Sequence, residues 1–214
     1  MAVIRLSLAR MRQHPFSACG PDWKSRRSWL TMLSASLLLI AGLALVGQGG
    51  WIHAKALLAQ HLLEGAFSQT IATGQPVKPW PWADTWPVAR IEAARLGDSA
   101  IVLKGASGEA LAFGPGHLDG TPQAGEAGTA VYAAHRDTHF AFLAHVREGD
   151  EIRVTRDDGR MFSYHVTGMT VVRWDQPGID PDAFGHSLVL TTCWPFGAIQ
   201  PGPLRFLVHA QLMG

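Results

Sequence analysis

The sequence predicts a mainly β protein, a closed or partly closed β-barrel carried behind one membrane-spanning helix. From Val88 onward, seven short apolar runs alternate with turn residues, the pattern of a barrel built from many short strands. Ahead of them, Trp29 to Gln48 holds no charged residue and has Leu37-Leu38-Leu39-Ile40 at its centre. Composition agrees: charged residues make up 16% of the 214, against about 25% in ordinary soluble chains. That deficit is concentrated in the uncharged run. A formal net charge of +1 gives no general electrostatic reason to expect nucleic acid as a partner.

Residues 1–28 form a basic tail, with Arg5, Arg10, Arg12, Lys24, Arg26 and Arg27. The run 29–48 follows; at 1.5 Å per residue it spans roughly 28 Å, close to the hydrocarbon thickness of a bilayer. The positive-inside rule then puts the N-terminus in the cytoplasm and everything after Gln48 across the membrane. A cleaved signal peptide is the rival reading. Its apolar region would be unusually long, and no convincing small-residue cleavage site follows. The run is therefore read as an uncleaved anchor in contact with membrane lipid.

Residues 49–77 read as helix and linker. Gly49 and Gly50 loosen the exit, and Trp51, Ala54, Leu58, Leu62 and Ala66 recur at helical spacing, with Leu57 and Leu63 widening the stripe. This amphipathic helix lies on the membrane or on the domain and reads first as a spacer. From Thr73 to Pro87, Pro76, Pro79, Pro81 and Pro87 forbid continuous helix. Trp80, Trp82 and Trp86 in that stretch are expected to pack on the domain rather than meet headgroups.

The expected strands are Val88–Ala94, Ala100–Lys104, Thr129–Ala134, Glu151–Thr155, Met161–Val172, Ser187–Thr192 and Leu204–Gln211. Asp157-Asp158-Gly159 reads as a hairpin turn between the fourth and fifth. Residues 137–146 have room for a helical turn.

Three side chains stand out. Leu188 and Leu190 alternate with Val189 and Thr191, and the run ends at Cys193, before Trp194-Pro195-Phe196. The only other cysteine, Cys19, falls on the opposite side of the membrane in this topology, so Cys193 is an unpaired thiol in an oxidising compartment. A thiol nucleophile acts as thiolate and needs a base or cation nearby. His135 meets that need by position, since it directly follows the apolar run Thr129–Ala134. Acyl transfer also needs a donor for the developing oxyanion. Arg205, inside the apolar run Leu204–Val208, reaches Cys193 if the last two strands pair antiparallel.

These residues carry a family resemblance. Leu190-Thr191-Thr192-Cys193 resembles the signature around the nucleophile of sortases, the membrane-anchored cysteine transpeptidases, with Val189 where the family usually has Thr. Ala134-His135-Arg136-Asp137-Thr138-His139-Phe140 resembles the segment of the family's catalytic histidine, Gly114-Pro115-Gly116-His117 its preceding loop, and Leu204-Arg205-Phe206 the strand of its essential arginine. Pro79-Trp80-Pro81-Trp82-Ala83-Asp84 and His135–Phe140, together with the anchor, look most like the class of Gram-negative bacteria. The resemblance covers residues 78–214.

It implies an eight-stranded barrel with short helices and a reaction. Cys193 would attack a sorting motif near the C-terminus of a secreted protein, His135 would transfer the proton, and Arg205 would hold the substrate backbone or oxyanion. An amine acceptor, or water, would release the acyl group. The site would face the periplasmic side of a bacterial inner membrane. Thr192 would support the site through its hydroxyl. His117 and His139 would shape loops, and Asp137 would cap a loop or orient Arg136. No metal or cofactor is expected, because the histidines are scattered and the acids lack calcium-loop spacing. Two alternatives remain open on sequence: an L,D-transpeptidase, although Thr191-Thr192-Cys193-Trp194-Pro195 stands where its Ser-x-Gly-Cys-x-Arg run would be, and a membrane-tethered binding or assembly module without turnover.

Overall fold

A computed structural model of the chain describes residues 23–214. Cys19 and the basic residues Arg5, Arg10 and Arg12 lie outside the described residues. The chain divides into two compact units, Met1–Trp51 and Ile52–Gly214.

Helix α1, Trp23–Thr73, supplies the described part of the first unit and the opening of the second. Backbone hydrogen bonding runs through Gly49 and Gly50, so one helix stands where the sequence predicts two. Each glycine costs only about 1 kcal/mol in a helix, and strong helix formers stand on both sides at Leu43–Leu45 and Ala54–Leu58. In the first unit the apolar side chains from Trp29 to Val46 are all exposed, as a lipid-facing span requires.

In the second unit, α1 packs with Ala59, Leu63, Ala66, Phe67 and Thr70. This stripe keeps helical spacing but is rotated from the predicted one: Leu57, Leu58 and Leu62 are exposed. Leucines at 57, 58, 62 and 63 fit either of two adjacent faces, and only the partner surface decides between them. Leu63 and Phe67 join Ile101, Leu103 and Ala110 in one buried cluster, so this stretch is part of the globular unit and more than a spacer. The Pro/Trp segment packs as expected at Trp80, whose ring meets Phe113 edge-on at 4.8 Å, and at Trp86. Trp82 stays 80% exposed.

The barrel strands are β1 (Pro87–Ala93), β2 (Asp98–Lys104), β3 (Gly116–His117), β4 (Gly128–Ala133), β5 (Glu151–Arg156), β6 (Met161–Arg173), β7 (His186–Trp194) and β8 (Leu204–Leu212). They close in the order β1-β2-β3-β4-β7-β8-β6-β5. The seven predicted strands all appear within a residue or two of their expected bounds. The eighth, β3, is too short to show alternation. A Cβ at Gly116 would stand 2.2 Å from the Gly105 carbonyl oxygen, so glycine is required where β3 meets β2. Helix α2, Gly108–Phe113, is likewise too short to carry a sequence period; it is capped by Ser107. The turn at Asp157–Gly159 joins β5 to β6, and a 3₁₀ turn covers Ala141–His145.

Alternation along the strands separates two apolar layers. Ile91, Val102, Tyr132, Val154, Tyr164, Leu188, Leu190 and Val208 fill the barrel interior. Val131, Val189 and Leu207 point the other way, forming a second cluster with Leu118, Val172 and Ile179. The period-2 rule therefore assigns Cys193 to the outward face, with Val189 and Thr191, although the chain around it is a barrel strand.

Candidate active site

Strands β4 and β7 lie side by side and parallel, pairing Val131 with Val189 and Ala133 with Thr191. Strands β7 and β8 are antiparallel, pairing Thr191 with Leu207 and Cys193 with Arg205. Directly opposed residues project to the same face with Cβ atoms about 5 Å apart. The ladder thus sets Arg205 beside Cys193, as the sequence anticipates.

His135 arrives from the other neighbour. The β4–β7 ladder continues past Ala133 through Ala134 N–H, which donates to Thr191 O at 3.2 Å. Thr192, on the inward face and buried, donates its hydroxyl to Ala134 O at 2.7 Å. Two bonds therefore fix the residue before His135 to the two residues before Cys193. Thr192→Val keeps the shape of the side chain and leaves the Ala134 carbonyl without that donor. An orphaned buried acceptor costs about 1–3 kcal/mol, so the midpoint of thermal unfolding should fall by about 2–10 °C. An unchanged midpoint would show that this bond contributes nothing net.

Cys193, His135 and Arg205 share one groove of about 400 Å³. Val131, Ala133 and Thr191 line it from the strands, and Leu111, Leu118, Trp174, Pro177 and Ile179 complete its apolar lining. Cys193 is half-buried with a free thiol, and His135 is exposed. Behind Cys193, the rings of Trp194, Phe196 and Phe206 pack mutually at 5.4 to 5.6 Å between centroids. That aromatic cluster packs at the strand end that carries Cys193.

Arg205 donates through Nη1 to Gly202 O at 3.0 Å and Leu204 O at 2.9 Å. Among the described residues no acid pairs with it, and Nε and Nη2 have no acceptor. One edge of the guanidinium is anchored to backbone while the rest of the fork is available.

Arg136 is buried and donates through Nη2 to Ala198 O and, at 3.2 Å, to Gln200 O, tying the end of β4 to the β7–β8 connection. Its Nε stands 3.6 Å from an Asp137 carboxylate oxygen, an ion pair beyond hydrogen-bond distance, and Nε and Nη1 have no hydrogen-bond partner among the described residues. His139 is half-buried; burial first, and then the charge of His135, hold its pKa below the usual histidine range. Its neutral form is thereby favoured. His117 sits in β3 outside the groove lining, its Nε2 3.0 Å from Pro122 O and 3.1 Å from Thr121 Oγ1. Burial lowers its pKa too.

The structure brings together His135, Cys193, Arg205 and Thr192, and sets Arg136 and Asp137 at the edge of that group. Leu111, Leu118, Trp174 and Ile179 escaped sequence reasoning. Trp174, 61% exposed just past β6, carried the one available signal, an aromatic residue in a polar connection.

Residues 91–213 match the model of the Sortase domain. Sortase D of Bacillus subtilis is 26% identical over 122 residues, which is 56% of this chain and 61% of that protein, so the match spans less than two thirds of the relative. Among solved structures, sortase E of Streptomyces avermitilis is 32% identical, covers 60% of this chain and 88% of its own, and superposes with a TM-score of 0.51. A sortase D5 transpeptidase of Clostridium perfringens superposes with a TM-score of 0.57 over 73% of this chain at 21% identity, a likeness of fold alone. With a sortase domain over these residues, the L,D-transpeptidase alternative has no support left.

Proposed function

The chain belongs to the sortase family, and from that premise we propose that it is a membrane-anchored cysteine transpeptidase acting through Cys193, His135 and Arg205. The observation that carries this reading is the register: the ladder pairs Cys193 with Arg205, and two bonds at Ala134 hold His135 to the same strand. The thiolate of Cys193 attacks the carbonyl carbon of a sorting motif near the C-terminus of a secreted protein, forming a tetrahedral intermediate. The free edge of the Arg205 guanidinium stabilises the oxyanion. His135, as imidazolium, gives its proton to the leaving amine as the C–N bond breaks, which leaves a thioester and a neutral imidazole. An incoming amine or water then attacks the thioester, loses its proton to His135 and expels the thiolate. Thr192 and Arg136 serve by holding the strand ends; Asp137 orients Arg136, and His117 and His139 shape the surrounding loops.

We extend the proposal to organisation and place. Residues 1–28 form a cytoplasmic tail, 29–48 the anchor, 49–77 a helix and linker, and 78–214 the catalytic domain on the periplasmic side of an inner membrane. The class of Gram-negative bacteria is favoured by Pro79–Asp84 and His135–Phe140. Protease added to intact spheroplasts should then digest the part after Gln48 and spare the first 28 residues. Protection of the C-terminal domain would reverse the orientation.

The test of the activity is direct. The protein is mixed with synthetic peptides covering the C-terminal segments of secreted proteins, and intact mass is followed for an acyl adduct that hydroxylamine removes. An adduct at Cys193 followed by transfer to an added amine supports the transpeptidase. A folded protein with a reactive thiol and no adduct on any peptide would favour the assembly module instead.

A further inference from the structure

Helix α2 spans Gly108–Phe113 and has two faces with different duties. Leu111 stands in the wall of the active-site groove. Ala110 is completely buried on the other side, in the cluster that holds Leu63 and Phe67 of α1, and Phe113 packs against it. Six residues are far too few for a helix to persist alone; isolated helices shorter than about 12 residues are marginal in water. The position of α2, and with it the position of Leu111, is therefore set by what touches its ends and back.

Those contacts can be traced. Ser107 caps the start, accepting from Ala110 N–H at 3.1 Å. At the other end Gly114 N–H donates to Ala110 O at 3.0 Å, and the carbonyls beyond Ala110 lack helical partners. The carbonyl of Phe113 accepts a hydrogen bond from the Gln60 side chain at 2.8 Å, part-buried and 53 residues away in sequence. Gln60 thus caps the end of α2 from α1, beside the buried stripe of Ala59 and Leu63. Nothing in the reaction itself uses this bond.

We propose that Gln60 is a positioning residue for the substrate groove, holding α2 against the barrel so that Leu111 stands in the groove wall. The proposal rests on the reading of that groove as the substrate site. The helix that continues from the membrane anchor then shapes the groove as well as tethering the domain. A barrel cut away at residue 78 would lose part of its substrate wall even if it folded.

The experiment compares Gln60→Ala, Gln60→Glu, Leu111→Ala and the double variant Gln60→Ala/Leu111→Ala in the full-length chain carrying Cys19→Ala. Gln60→Glu keeps the length and shape of the side chain, but as carboxylate it offers no donor to the Phe113 carbonyl. The first readout needs no substrate: the rate of Cys193 modification by benzyl methanethiosulfonate divided by the rate with methyl methanethiosulfonate. The bulky apolar reagent senses the wall, and the small one senses the thiol alone. Both Gln60 variants should lower this ratio by about threefold or more, the scale of one lost hydrogen bond, with the methyl rate unchanged. The double variant should match Leu111→Ala alone, because both changes act through one side chain. The second readout is turnover of any peptide that acylates the wild type, where KM should rise about threefold at constant kcat. A ratio within 1.5-fold of wild type in Gln60→Ala, or effects that multiply in the double variant, would overturn the proposal. If no peptide acylates the wild type, the transpeptidase reading fails, and the methanethiosulfonate ratio still decides whether Gln60 sets the wall.

Discussion

Cys193→Ala is expected to abolish both transfer and hydrolysis while leaving the barrel folded. Cys193 lies on the outward face of β7, half-buried, and its strand pairs with β8 through backbone groups that the substitution does not touch. The interior core is filled by Leu188 and Leu190 from the opposite face, and the aromatic cluster of Trp194, Phe196 and Phe206 backs the strand end. Removing one partly exposed sulfur should therefore cost about 1 kcal/mol or less, a fall of no more than about 2–4 °C in melting midpoint. The chemical loss is of another order, because the covalent route through a thioester disappears entirely. The measurement pairs a thermal melt with product analysis by mass on the same preparation. Turnover above a few per cent of wild type in a well-folded Cys193→Ala would remove this residue from its assigned role. Cys19→Ala, in the tail, should leave activity intact.

The parts of the molecule that were legible in sequence are those whose signal is local. β7 announces itself by alternation at Leu188–Thr191, the β5–β6 turn by Asp157-Asp158-Gly159, and the span by the absence of charge between Trp29 and Gln48. Cys193 and Arg205 could be joined because an antiparallel neighbour is the commonest arrangement of consecutive strands. What stayed hidden depends on distant partners. The parallel pairing of β4 with β7, which brings His135 to the site, has no signature in either strand. The groove wall at Trp174, Pro177 and Ile179 comes from a connection with no regular period. The buried stripe of α1 lies one helical position from the expected one because leucines border both candidate faces, and only the barrel surface, through Ile101 and Leu103, selects Leu63 and Phe67. The clamp from Arg136 to Ala198 and Gln200 links residues more than 60 positions apart, and nothing in the local sequence marks either end.

Arg205→Lys is expected to fold, to keep a thiol that small alkylating agents modify at the wild-type rate, and to lose at least about 10²-fold in acyl transfer. Two roles for an arginine in an apolar strand make different predictions here. A structural cation neutralising a nearby acid tolerates lysine, since the charge survives. Among the described residues no acid pairs with Arg205, and its two hydrogen bonds go to the carbonyls of Gly202 and Leu204. Those bonds use Nη1 and hold one edge of the guanidinium against the start of β8. The remaining donors are unspent on protein, and they belong to the residue opposite Cys193 in the ladder, in the same groove. A planar fork held along one edge presents its other N–H groups in fixed directions, which is what a carbonyl oxygen becoming an oxyanion requires. Lysine offers a strongly hydrated point charge on a flexible stem; it can satisfy either the backbone carbonyls or the oxyanion, and lacks the geometry to do both. Losing one preorganised oxyanion donor costs about 10²–10³ in rate. The ammonium still resides beside the thiol, so the electrostatic environment of Cys193 should change little, and alkylation separates that contribution from the oxyanion role. Both assays are run on one preparation: the rate of Cys193 alkylation by iodoacetamide, and single-turnover acylation by a peptide that forms the thioester with wild type. Acylation within a fewfold of wild type would make Arg205 a structural cation and move the oxyanion donor to the backbone N–H groups around Cys193.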